Sequence, residues 1–160
     1  MCRLSLKFKK AMKTKFFIPF LLLMSSILFS QNSNINKENG VANYGYDVVS
    51  YFSGKPQPGS VKNTVKYQGA DYYFINPENK ARFQKEPVKY LPQYGGYCAF
   101  AMGDYGKKVQ VDPKTYKITD GKLYLFYNKF LTNTLTSWNK DEHNLTIKAD
   151  MNWKKLTANK

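Results

Sequence analysis

Beyond residue 44, short stretches of alternating apolar and polar residues are separated by glycine, proline and aspartate. The stretch TVKYQGADYYF predicts two β-strands joined at residues 68–71. The stretch KKVQVDPKTYKITDGKLYLFYN predicts a second hairpin that turns at Asp120 and Gly121, a dipeptide suited to tight hairpin turns. The pattern therefore predicts two β-hairpins.

A helix is predicted in INPENKARFQKEP, between the two hairpins. Asn76 can cap its N-terminus, Pro77 suits the first helical position, and Pro87 ends it. Ala81 and Phe83 would face inward. A short helical or irregular piece, Val88–Leu91, would follow.

The C-terminal pattern is helical. Leu131, Leu135 and Trp138 recur at spacings of four and three, and a second short helix would place Leu145, Ala149, Asn152 and Trp153 together. These elements predict one small α+β domain over residues 45–156, which begins at GYDVVSYF, with a C-terminal tail at 157–160.

The N-terminal region has a different pattern: a basic stretch, then an apolar run at residues 16–29, then small or polar residues. This order is typical of a secretory signal peptide, and we assign residues 1–30 to one. The run is shorter than the roughly 20 residues that a membrane span needs. Translation could start at Met1 or Met12. Residues 31–44 are polar and predict a flexible leader, so we expect an extracytoplasmic protein, periplasmic or secreted, that contacts a membrane only through the signal peptide before cleavage.

The net charge of the chain indicates which kinds of partner are expected. The chain has 25 Lys and Arg against 11 Asp and Glu, a formal charge of +14; cleavage after Ser30 would remove six basic residues and no acidic ones, leaving about +8. A charge of this sign favours anionic neighbours such as phospholipid or acidic polymer surfaces. The lysines are scattered and form no basic tract, so nucleic-acid binding is not expected. The sequence gives no indication of oligomeric state.

Cys98 would be the one cysteine of the mature chain, because Cys2 leaves with the signal peptide. An internal disulfide is then excluded. Stability must come from burial of aromatic side chains, of which the chain has 13 Tyr, 11 Phe and 2 Trp.

Four motifs occur in order: GYDVVSYF, DYYFINPENKARFQKEPVKYLPQYGGYCAFAMG, VDPKTYKITDGKLYLFYN, and a C-terminal Trp with ADMNW. Together they resemble secreted YHS-domain proteins, from Gly45 to about Trp153. The resemblance implies a small YHS-like α+β fold and a poorly defined function. Other YHS proteins carry a cysteine pair that could hold a soft metal, whereas Ile75, Asn76, Asn79 and Lys80 supply no thiolate here. A structural zinc site of that kind is therefore not expected.

Cys98 has two interpretations. It could pack as a small hydrophobic residue beside a glycine turn. Alternatively, the glycines could let the backbone approach a ligand, with a site formed by Asp47, Tyr94, Gly95, Gly96, Tyr97 and Cys98. A soft ion such as Cu(I) would suit Cys98, Met102 and His143, although a lone histidine in NKDEHN is typical of a solvated surface.

Asp47 lies in an apolar run, so it should face water, cap a turn, or belong to a site. The first hypothesis for function is an extracytoplasmic YHS-type binding module, not an enzyme, that holds a small ligand or soft metal ion near Cys98. A thiol-based redox protein or enzyme using Cys98 is the second hypothesis, and an envelope protein-interaction domain is the third.

Overall fold

We describe residues 34–158 of the chain in a computed structural model. The predicted signal peptide and the first three residues of the predicted leader lie outside the described residues. Within the described part, the prediction of a small α+β domain is confirmed; both predicted β-hairpins are present, together with two short hairpins that were not predicted.

The described part of the chain contains eight strands and five helices. The strands are β1 (Lys37–Glu38), β2 (Val41–Ala42), β3 (Ser60–Tyr67), β4 (Ala70–Phe74), β5 (Asp112–Thr119), β6 (Lys122–Phe126), β7 (Asn128–Lys129) and β8 (Thr132–Asn133). The helices are α1 (Pro77–Lys85), α2 (Pro87–Tyr90), α3 (Ala99–Tyr105), α4 (Thr134–Trp138) and α5 (Glu142–Ala158). Short 3-10 turns lie at Asn43–Gly45, Ser50–Ser53 and Gln93–Gly96.

The first half of the domain is a four-stranded sheet in the order β1-β2-β4-β3, packed against α1, with Tyr90 of α2 buried in the same core cluster. Gln68 and Gly69 form the β3–β4 turn, both with positive φ. On the face that packs on α1, Tyr72 and Phe74 are buried, and the ring centroid of Phe83 lies 5.1 Å from each of theirs, stacked on Tyr72 and tilted against Phe74. Aromatic packing therefore forms this core.

Helix α1 begins as predicted: Pro77 is its first residue, and the Asn76 side chain accepts a hydrogen bond from the Asn79 backbone N at 2.8 Å. Phe83 is fully buried, as expected, but the inward position predicted for Ala81 is wrong because Ala81 is exposed. Asn79 is buried instead. Its amide is drawn inward by a hydrogen bond to a buried carboxylate.

The second half is built on the β5–β6 hairpin, which turns at Asp120 and Gly121 as predicted. Its partners are α3 and α5, which pack on each other. Phe126, Trp138, Leu145 and Ala149 are buried in one core cluster between them. Strand and helices thus share an apolar interior that is distinct from the first core.

Two C-terminal predictions need correction. The helical spacing of Leu131, Leu135 and Trp138 does not describe one helix, because β7 and β8 form a small hairpin with Leu131 in its turn, and α4 starts only at Thr134. Helix α5 is long and continues through Ala158, so residues 157–158 are helical and do not belong to a separate tail.

The flexible leader predicted at 31–44 is also wrong for its described part, residues 34–44. Strand β2 pairs in parallel with β4, and Ile35, Asn36 and Ala42 are buried. The segment is polar in composition, but its asparagine side chains and backbone hydrogen-bond to the rest of the domain. The domain therefore begins by residue 34 and not at Gly45.

Asp47 is fully buried, and its carboxylate accepts four hydrogen bonds. Oδ1 accepts from the backbone N of Val49 at 2.8 Å and of Ser50 at 3.3 Å; Oδ2 accepts from the backbone N of Ile75 at 2.9 Å and from Nδ2 of Asn79 at 2.7 Å. The run around it is a turn and a 3-10 helix, not a strand. Asp47 thus caps this turn and ties it to the start of α1.

Within residues 34–158, no helix has both the length and the hydrophobicity that a membrane span requires.

Replacement of Asp47 by Ala should lower the free energy of unfolding by about 3 kcal/mol or more, because four donors, three of them buried, would lose their acceptor. Urea denaturation measures the change. Asp71→Ala is the matched control: the Asp71 carboxylate is partly exposed and lies 3.8 Å from Nζ of Lys66, a surface pair that contributes at most about 1 kcal/mol. Equal effects of the two substitutions would contradict the capping role of Asp47.

Candidate functional site

The segment YGGYC, residues 94–98, connects the two halves of the domain through an unusual backbone. Tyr94, Gly95 and Gly96 have consecutive φ values of 54°, 63° and 83°, all in the left-handed region. A Cβ placed on Gly95 would lie 1.7 Å from the backbone O of Asn34. No side chain fits in that space, so glycine is required here for close packing as well as for φ.

The N-terminal segment is hydrogen-bonded to this turn through Asn36. The Asn36 backbone N donates to the O of Gly95 at 2.8 Å, and its Nδ2 donates to the O of Gly96 at 3.0 Å. Asn36 is buried, so these two bonds replace water for its polar groups. The glycines predicted to approach a ligand therefore approach another part of the same chain.

Tyr94 anchors the turn to helix α5. Its ring packs among Tyr124 and Trp153, and its hydroxyl donates to Oδ1 of Asp150 at 2.9 Å. Burial, and next the negative charge of Asp150, raises the pKa of Tyr94. The phenol therefore remains a neutral hydrogen-bond donor, a structural role.

Cys98 is fully buried and directly precedes α3. Its sulfur lies 3.4 Å from the backbone N of Tyr127 and 3.4 Å from Oγ1 of Thr134. The Thr134 hydroxyl donates to the O of Tyr127 at 2.9 Å, which leaves its oxygen free to accept the thiol proton. The thiol thus accepts from Tyr127 and donates to Thr134, in a closed ring of hydrogen bonds.

An apolar pocket of about 200 Å³ lies beside this ring. One group of lining residues comes from α3: Phe100, Ala101 and Tyr105, the last residue of the helix. Val109 lines the pocket from the segment before β5, and Tyr127 directly follows β6. Thr132 and Thr134 contribute from the small hairpin and α4. The complete lining is Cys98, Phe100, Ala101, Tyr105, Val109, Tyr127, Thr132 and Thr134.

Of the six predicted ligand-binding residues, the structure brings only Cys98 to this pocket. Asp47, Tyr94, Gly95 and Gly96 are engaged in contacts within the chain, as described above. Tyr97 is half-buried, and Nζ of Lys108 lies 5.6 Å from the centre of its ring. The pocket is therefore different from the predicted site, although it shares one residue with it.

The predicted metal ligands Cys98, Met102 and His143 are not brought together. Met102 is fully buried in the core cluster that contains Trp138, and His143 is exposed in the first turn of α5. Among residues 34–158, no group of three His, Cys, Asp or Glu side chains is arranged to hold a metal ion. The structure gives no support to a copper ion at this set.

Most of the residues that line the pocket were not among the predicted site residues. Tyr127 and Thr134 contact Cys98 from 29 and 36 residues further along the chain. Strand alternation included Tyr127, but nothing in the local sequence of Thr132 or Thr134 indicates a site. Only the fold of the β7–β8 hairpin brings them beside Cys98.

Comparisons with protein-family models, with curated proteins and with solved structures found no match to this chain.

Replacement of Gly95 by Ala should lower the free energy of unfolding by more than 2 kcal/mol, because the new methyl group would overlap the backbone of Asn34. Gly121→Ala separates this effect from backbone strain: Gly121 has φ +70° and nothing within 4 Å of the added Cβ, so only about 1 kcal/mol is expected. Chemical denaturation of both variants measures the difference. Equal losses would show that the close approach to Asn34 does not matter.

The Cys98 thiol should react slowly in the native protein, because the sulfur is buried and hydrogen-bonded. A chain carrying Cys2→Ser, treated with a coloured aromatic disulfide at pH 8, should label at least 100-fold more slowly in buffer than in 8 M urea. Labelling at the same rate under both conditions would restore the thiol-chemistry hypothesis.

Proposed function

We propose that this protein is a binding module for a small, mainly apolar molecule, which occupies the pocket beside Cys98. The observation that carries the proposal is the pocket itself: about 200 Å³, lined mainly by aromatic and aliphatic groups, with a satisfied thiol as part of its wall. Small-molecule sites are typically concave and apolar with a few polar groups.

The volume suits a ligand of about the size of one ring. Apolar cavities of roughly 150 Å³ are known to bind benzene, so a pocket of about 200 Å³ suits a single aromatic ring or a short aliphatic chain. Thr132 is exposed and lines the same pocket, so it lies where the pocket meets the surface, and the lining surface is almost entirely apolar. The ligand class is then an apolar molecule of about the size of one ring.

Binding without catalysis is favoured by the surroundings of the Cys98 sulfur. A nucleophilic cysteine needs a thiolate, which a neighbouring base, a cation or a helix N-terminus stabilises. Cys98 lies at the N-cap of α3, but its side chain makes no capping hydrogen bond to that helix, and the polar atoms in contact with the sulfur are a backbone N–H and a threonine hydroxyl. The sulfur is therefore engaged in contacts within the fold, which supports a role in shaping the pocket.

The resemblance to secreted YHS-domain proteins and the N-terminal pattern of a signal peptide stay predictions. They extend the proposal to an extracytoplasmic YHS-type binding module. The binding proposal depends on neither of them, because it is argued from the pocket.

Toluene should bind the protein with a Kd on the order of 1 mM, within the range that seven non-hydrogen atoms can supply. Titration followed by two-dimensional NMR should move the signals of Cys98, Ala101 and Tyr127 and should saturate. Shifts spread over the surface without saturation would contradict a defined site.

Thr132→Phe should abolish this binding, because the larger side chain would fill the mouth of the pocket from an exposed position that the fold can tolerate. Thr136→Phe is the matched control: Thr136 is an exposed threonine of α4 outside the pocket lining, so toluene should bind as before. Unchanged binding by Thr132→Phe would place the toluene site elsewhere and refute the proposal.

A further inference from the structure

Four two-residue turns connect paired antiparallel strands in the described part of the chain. Three of them place a polar residue before glycine: Asn39–Gly40, Gln68–Gly69 and Asp120–Gly121, with positive φ at both positions. This is the residue choice that tight hairpin turns favour. The fourth turn, between β7 and β8, is Phe130–Leu131.

Phe130 is unsuited to this position on two counts. Its φ is +56°, in the left-handed region that suits glycine, asparagine or aspartate and is uncommon for a bulky residue. Its side chain is 95% exposed, and Leu131 beside it is fully exposed. Within residues 34–158, neither turn geometry nor burial accounts for two large apolar residues at the tip. Strained and exposed residues of this kind indicate a function outside the fold.

The charge around the tip indicates the kind of surface it would meet. Lys129 is exposed next to Phe130, and the stretch Tyr127–Asn133 contains no acidic residue. The whole chain is basic, with a formal charge of +14. The charge of the chain without residues 1–30 is about +8, which is still strongly basic. Apolar residues flanked by cations are suited to an anionic lipid surface, where side chains enter the acyl boundary and lysines meet headgroups.

We propose that the Phe130–Leu131 tip inserts into the surface of an anionic phospholipid bilayer, with Lys129 against the headgroups. The contact is peripheral and local to the β7–β8 hairpin. It goes beyond the expectation that a membrane is met only through the signal peptide, and it does not depend on a ligand in the pocket.

Co-sedimentation with vesicles measures how strongly the tip contributes to membrane binding. The full chain should bind vesicles of phosphatidylglycerol and phosphatidylcholine more tightly than phosphatidylcholine alone, and less tightly as salt is raised. Phe130→Ser with Leu131→Ser should lower the partition coefficient at least fivefold. Val61→Ser with Val88→Ser, which alters two other exposed apolar residues, should change it less than twofold. Equal losses in the two double variants would refute the tip as the contact.

Phe130→Gly is the control that distinguishes a loss of vesicle binding at the tip from a loss caused by misfolding. Glycine accepts φ near +56° without strain, so the melting temperature should stay level or rise while vesicle binding falls. A variant that melts normally and still binds vesicles like the parent chain would overturn the proposal.

A site-specific probe separates the tip from the N-terminal apolar run. In a chain with Cys2→Ser, an environment-sensitive nitrobenzoxadiazole dye is attached at Leu131→Cys, and in a matched chain at Val88→Cys. Anionic vesicles should shift the emission of the dye at position 131 to the blue and leave the dye at position 88 unchanged. A dye at 131 that responds to protein concentration and not to lipid would indicate a protein partner or a second copy, and would overturn the proposal.

Discussion

The close approach between Gly95 and Asn34 fixes how the N-terminal segment packs on the YGGYC turn. At this point two backbone segments, 61 residues apart in sequence, lie so near each other that a single methyl group would overlap. Asn36 fixes the approach with two hydrogen bonds to the glycine carbonyls. The chain then turns through left-handed backbone and reaches Cys98 in a fixed position. The glycines therefore determine where the cysteine lies, although they bind no ligand themselves.

From that position the thiol connects elements that are far apart in sequence. The backbone N of Cys98 donates to the O of Val109 at 2.9 Å, and the Cys98 sulfur contacts Tyr127 and Thr134. These bonds hold the start of α3, the end of β6 and the start of α4 together around one space. The two interpretations of Cys98 are then compatible: the residue packs as part of the interior and also forms part of the pocket wall.

Local chemistry predicted the regular elements well. The Asn76 cap with Pro77 and the Asp120–Gly121 turn each carry their signal within a few residues, and both appear in the structure as predicted. The polar segment 34–44 carried no such signal, because its order comes from hydrogen bonds to Gly95 and Gly96. Helical spacing at Leu131 was misleading, because the hairpin turn that precedes α4 takes up that residue.

The candidate site was harder to predict than the fold, for a physical reason. A pocket consists of side chains from several elements, and the partners of Cys98 become its neighbours only after β6, the small hairpin and α4 are in place. Asp47 shows the same limit: its apolar surroundings indicated a special role, but its donors lie on three separate segments. The sequence identifies that such residues are unusual, and the fold identifies what they contact.

We propose that the space beside Cys98 accepts a small apolar molecule, and diffraction from crystals soaked in 4-bromotoluene can locate such a molecule. The anomalous signal of bromine marks its position without interpretation of weak density. A bromine peak is expected within the pocket bounded by Cys98, Tyr105 and Thr132. A fully soaked crystal with no peak there, or with peaks only on the outer surface, would contradict it.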